Sequence, residues 1–283
     1  MRQFTLLFFS LFIFSIAFAQ KPIKETKNAF RNFGARTTKV VVSDDGIIDA
    51  YIRDAVKKEW KASPYEFCTP QEYEYIKEDT SYFFLIRTDG IFGNEYEPSL
   101  EYLSLIKGGP EFKKGLFMSA ELISLPLQAK DDDSGDVFPF IPAYLHIMQD
   151  YVARVQKSVL VAFAREVVLS SLEGINGKTL LFRSEDIAFP TEKDEIKWTF
   201  RGRAEIVEPE VIEKAMEEYS PDVAVSLVIS PKDIHHKGGY CYKLVIDPEN
   251  SKLYYFRKKK FSPNNPAGFT RDDIKRISAP YRK

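Results

Sequence analysis

Two cysteines, four methionines and three histidines among 283 residues leave little material for a disulfide framework, a clustered redox centre or a histidine-rich metal site. With 14 glycines and no sustained heptads, the chain is neither collagen-like nor a coiled coil. No sign of charge dominates: 40 Lys and Arg stand against 41 Asp and Glu, a formal net charge of -1. That removes the basic excess by which nucleic-acid binders hold phosphates, and no nucleic-acid partner is expected. Beyond the first twenty residues no run is long and apolar enough to span a bilayer, so the mature chain is not expected to be an integral membrane protein. Gly-x-Ser-x-Gly, His-Glu-x-x-His, Cys-x-x-Cys and Gly-x-Gly-x-x-Gly are all missing, which argues against serine hydrolase, zincin, thioredoxin-like and dinucleotide chemistry. No cofactor or metal is expected. Dispersed carboxylates stay open as catalysts.

A hydrophobic fraction of 44% and a charged fraction of 29% describe a folded globular chain. Its start reads as a secretory signal peptide: Arg2, an apolar stretch from Phe4 to Phe18, then Ala17-Phe18-Ala19 before Gln20. The stretch is shorter than the ~20 residues of a spanning helix, and cleavage after Ala19 is expected. No cysteine stands at the cleavage point, so the address is the periplasm or the cell exterior without a lipid anchor. In that oxidising setting Cys68 and Cys241, both in strand-like sequence, form a candidate disulfide, with two buried free thiols as the other reading.

Along the chain, residues 1–19 are the signal, 20–38 a basic leader, 39–136 a first α/β unit, 137–177 a long connecting helix and 178–283 a second unit. Residues 39–43 carry three consecutive valines, Val40 to Val42, and read as a short buried strand. Ile52, Ala55, Val56 and Trp60 then fall on one helical face. Residues 81–87 and 100–106 continue the strands, while 116–127 is ambiguous. The acidic loop Asp131-Asp-Asp-Ser-Gly-Asp136 departs from the calcium-loop pattern and reads as a solvated connection. From Pro142 to Glu173 apolar positions at helical spacing predict one long central helix. The later sequence echoes the earlier one, with Ile212, Ala215 and Met216 against Ile52, Ala55 and Val56, which suggests two related units. Residues 240–246 and 253–261 flank Asp247-Pro-Glu-Asn-Ser and form the clearest hairpin. Thr270 with Asp273 resembles a capping box opening a last helix. The expected fold class is α/β or α+β, with mixed sheets and a long central helix. The pattern resembles the α/β modules of bacterial envelope proteins, the curli-secretion type among them, and this resemblance concerns fold alone.

Two stretches carry candidate ligand contacts. Asp233, His235 and His236 share a loop between strands, where sites are often built. Tyr255, Arg257, Lys258 and Lys260 interleave aromatic and basic side chains, a pattern suited to an anionic glycan or an envelope protein, although strand alternation divides them between two faces. His146 reads as a packing or capping histidine of the long helix. The sequence thus favours an exported, non-catalytic binding module. The alternative is a secreted hydrolase of glycan or peptide, using dispersed carboxylates or the Asp233, His235, His236 loop.

Overall fold

The computed structural model describes residues 30, 32–44, 46–90, 99–110, 112, 121–130, 132–158, 169–231, 239–260 and 266–282. Asn32 adopts the left-handed conformation (φ 58°), which asparagine tolerates better than most residues, and opens a single 3-10 turn at Phe33–Ala35. Phe33 goes into the core. The turn feeds β1 (Thr37–Val41), α1 (Ile47–Glu59), β2 (Tyr65–Cys68), α2 (Pro70–Ile76), β3 (Tyr82–Gly90), β4 (Leu100–Lys107) and β5 (Glu121–Ala129). Helix α1 buries Ile48, Ile52, Ala55 and Val56 along one stripe. Thr69 and Glu72 make a capping box that, with Pro70 in the first turn, starts α2. The sheet order is β2-β1-β3-β4-β5; β1 runs parallel to β2 and β3, and the other pairs are antiparallel. Helix α3 (Ile141–Lys157) lies against α1.

The second unit repeats this plan. Gly174 (φ 83°) opens the 3-10 turn Ile175–Gly177, followed by β6 (Thr179–Arg183), α4 (Lys193–Thr199), β7 (Ala204–Val207), α5 (Pro209–Glu217), β8 (Val223–Ile229), β9 (Tyr240–Ile246), β10 (Leu253–Lys260) and α6 (Arg271–Ser278). Its sheet, β10-β9-β8-β6-β7, has the same strand order and directions as the first. The registers also coincide. Thr38 sits between Tyr65 and Phe83 as Leu180 sits between Ala204 and Ala224. Phe84 pairs with Ile106 as Val225 pairs with Ile246, and Leu103 with Leu125 as Lys243 with Arg257. Even the opening turns match: Phe33 N–H donates to the Phe30 carbonyl at 3.3 Å, and Ile175 N–H to that of Leu172 at 3.2 Å.

The mixed-sheet α/β architecture is the expected one, but three details differ. The sequence echo is one element out of step: α1 corresponds to α4, and Pro70 of α2 to Pro209 of α5. Residues 196–200 look hairpin-like because Ile196, Trp198 and Phe200 alternate; they are helical, with Ile196 and Phe200, four apart, buried and Trp198 pointing out. The central helix covers 17 residues, about 25 Å. Ser158 turns extended (φ -145°, ψ 110°) and ends it, while 159–168 lie outside the described residues. Among the described residues no helix is long and apolar enough to cross a membrane.

The units stack through one shared core. On one face of the first sheet, α2 covers Val41, Cys68, Phe84 and Ile106. The other face packs with α1 and α3 into a core that also contains Ile212, Ala215 and Met216 of α5 and Leu227, Ile229 and Leu244 of the second sheet. The far face of the second sheet holds its own cluster with α4 and α6, including Phe182, Phe200, Ile274 and Ile277. The seam between the units is therefore a hydrophobic core in its own right.

Candidate functional site

In open α/β sheets ligands bind at the carboxyl ends of the parallel strands, beside the point where strand order reverses. Both sheets fill this place with charges that pair with one another. In the first, buried Asp49 accepts from the Ser43 amide at 2.9 Å and from Arg87 Nε at 2.8 Å. Arg87 Nη1 also reaches Glu101 Oε2 at 3.2 Å, and Glu101 further accepts from Gln128 and Lys130, each at 3.1 Å. In the second, buried Arg183 bonds Asp186 at 3.2 Å and Asp136 at 2.7 Å, and Ser226 donates to Asp186. Burial raises the Asp186 carboxyl above its ordinary value, against the opposing pull of Arg183. Asp136 belongs to the acidic 131–136 loop, so that loop ties the first unit to the second.

The open surface lies along the seam. A groove of about 420 Å³ runs between α1, the 134–142 connection and α5. Half-exposed Tyr51 stacks on Phe138, ring centres 4.4 Å apart, with Pro139, Pro142, Met216 and Tyr219 beside them. Asp54, Glu213 and Glu217 face it with Lys58 as the opposing charge. Tyr219, held at φ 51°, donates to Glu59 Oε1 at 3.4 Å; burial, then the Glu59 charge, raises its phenol pKa. Glu59 Oε2 lies 2.8 Å from His146 Nε2. His146 in turn lines a second cleft of about 270 Å³, shared with Asp150, Arg154, Asn250 and Lys252. The chain Tyr219, Glu59, His146 thus joins two clefts into one strip across both units.

Residues named from sequence fall elsewhere. Asp233, His235 and His236 lie outside the described residues. Tyr255 is not a surface contact: it is buried and donates to Asp273 at 2.7 Å. Arg257 pairs with Asp272 at 2.9 Å and with Asp273, while Lys258 Nζ lies 4.3 Å from the centre of the Tyr240 ring. Lys260 is exposed at the strand end. A bulge between Leu253 and Tyr255 breaks the expected alternation, so that Tyr254 and Tyr255 enter the same apolar cluster. Cys68 and Cys241 are buried free thiols in different sheets, not a disulfide. Among the described residues no group of three His, Cys, Asp or Glu side chains is placed to hold a metal. The seam strip had no signal in any single stretch, because its members come from four separated segments.

No family model, curated protein or solved structure matches this chain.

Proposed function

We propose that the protein is an exported, non-catalytic binding module that holds an envelope protein or polymer along the seam between its units. The supporting observation is the groove of Tyr51, Phe138, Pro139, Pro142 and Tyr219: a concave surface in which aromatic and proline side chains stand beside several charged ones, the mixture from which ligand sites are built. Its exposed aromatic rings are the residue type that dominates recognition surfaces. Three acids against one lysine favour a neutral or basic segment there over an anionic glycan.

A photoreactive residue placed at Tyr51, in the intact envelope, tests this. One dominant adduct is expected at Tyr51 and none at the still more accessible Trp198, which is 82% exposed on the far side of the second unit. Equal adduct patterns from both positions refute the groove as the contact.

A second reading rests on the Glu59–His146 pair beside its own cleft. A carboxylate orienting an imidazole is the minimal part of a general acid–base site, which fits a hydrolase of glycan or peptide. Turnover of envelope glycan or peptide that disappears in His146→Gln, with stability unchanged, would establish that reading over the first.

A further inference from the structure

The repeat supplies an internal control for polar groups at the strand positions that the two units share. At the start of the second sheet, Lys178 follows its 3-10 turn and pairs with Asp247 at 3.1 Å and Glu249 at 3.0 Å. Asp247 is completely buried and also accepts from Tyr254 at 3.1 Å. One cation is thus held by two carboxylates.

The counterpart of Lys178 is Arg36, which follows the matching turn with nearly the same backbone angles (φ -105°, ψ 149° against φ -102°, ψ 152°). The matching registers put Lys107 where Asp247 stands. The fully buried acid of the second unit is therefore replaced in the first by a second cation. Arg36 Nη1 is buried without a hydrogen-bond partner, the one such side-chain atom found among the described residues. Its guanidinium lies 5.6 Å from the centre of the Phe83 ring, and Phe83 is the direct cross-strand partner of Lys107. Lys107 is half-buried, and no ion pair involves it among the described residues. Among the described residues two cations thus stand without an acid where the other unit sets a cation against the buried Asp247, and a half-buried guanidinium without an acceptor is costly.

We infer that Arg36 and Lys107 form a binding site for a dianionic oxyanion, a phosphate or phosphomonoester group. Two charges match two cations, and the planar guanidinium fork suits phosphate oxygens. The same chemistry is offered by free phosphate and by the headgroup of a phosphatidic acid lipid.

Calorimetric titration with inorganic phosphate, against chloride at matched ionic strength, reads the site directly; sedimentation with vesicles containing phosphatidic acid reads the lipid source. One phosphate per chain is expected, weakened at least about tenfold in Arg36→Ala and in Lys107→Asp, and unchanged in Lys260→Ala. Lys107→Asp places in the first unit the acid that the second already has, so it should also raise the melting temperature in phosphate-free buffer. Vesicle binding that shares the Arg36 dependence identifies a headgroup ligand, and phosphate binding without it identifies a soluble one. Phosphate indistinguishable from chloride, or binding that survives Lys107→Asp, overturns the inference.

Discussion

The heaviest electrostatic commitment in the fold is Asp273. Its side chain is completely buried and accepts from Lys243 Nζ at 2.6 Å, the Thr270 amide at 2.8 Å, Thr270 Oγ1 at 2.7 Å, Tyr255 at 2.7 Å and Arg257. Lys243 is equally buried. Asp273→Ala leaves this ammonium without its counter-ion inside the protein and removes one half of the capping box of α6, so a loss of about 3–5 kcal/mol is expected. Lys243→Leu with Asp273→Ala should be less damaging than Asp273→Ala alone, by roughly 1.5 kcal/mol or more, because the stranded charge is gone. Burial alone would raise the Asp273 pKa, but the bonds from Lys243, Tyr255 and Thr270 outweigh it and hold the carboxyl well below its ordinary 3.8. A depressed folded pKa means that the stabilisation is complete above about pH 4 and is lost as pH falls through the folded value. Urea unfolding followed by circular dichroism at neutral pH and in strong acid measures both effects. An Asp273→Ala variant within about 1 kcal/mol of the parent, or a double variant no better than the single one, refutes this account.

Two further expectations are independent of any ligand. A Cβ on Gly108 would fall 2.1 Å from the Asp79 carbonyl oxygen and 3.0 Å from the Phe84 ring, so Gly108→Ala should cost roughly 1–3 kcal/mol, whereas Gly177→Ala meets nothing within 4 Å; equal melting temperatures for the two would contradict the packing at the β3–β4 end. Burial raises the thiols of Cys68 and Cys241 to about 11 from an ordinary 9.0, cutting the thiolate fraction about a hundredfold, so neither should react with a thiol reagent until the chain unfolds. Unfolding without reductant should then release two thiols, and none would mean that the cysteines pair after all.

How much of this was legible depended on whether the signal is local. The β9–β10 hairpin stands where its turn residues put it, and the Thr270–Asp273 capping box forms as its spacing suggests. Both are decided within a few residues. Tyr255 and Arg257 alternate regularly and read as surface because the residues that cover them, Asp272 and Asp273 of α6, lie fifteen or more positions further on. Nor could the Asp136–Arg183 bond be read, since its two residues come from different units and their meeting depends on the stack. The same holds for the groove, in which Tyr51 and Phe138 stack although 87 positions apart and meet Tyr219 of the other unit.

The repeat also explains why such distant contacts can be specific. On the seam side of the second sheet, Ile229, Leu244 and Phe256 face the first unit. Their counterparts on the outer side of the first sheet are Thr88, Ser104 and Ser124, whose hydroxyls form a row with 2.7 Å spacings. The exchange runs the other way too: apolar Leu103, Ile123 and Leu125 face the seam, and their counterparts Lys243, Tyr255 and Arg257 belong to the network around Asp273 on the outer side. Each unit is apolar where it meets the other and hydrogen-bonded at the equivalent outer place, which commits the pair to one stacking order and denies a third unit an apolar landing face. Residues 169–283 expressed alone should therefore expose an apolar sheet face and associate, since large exposed apolar patches are aggregation sites. Ile229→Thr, Leu244→Ser and Phe256→Ser, which graft the outer pattern of the first unit onto that face, should return this fragment to a soluble monomer in sedimentation experiments, while destabilising the full chain by about 2 kcal/mol or more through the damaged seam. A wild-type fragment that stays folded and monomeric would show that the seam is not the shared core on which both units depend.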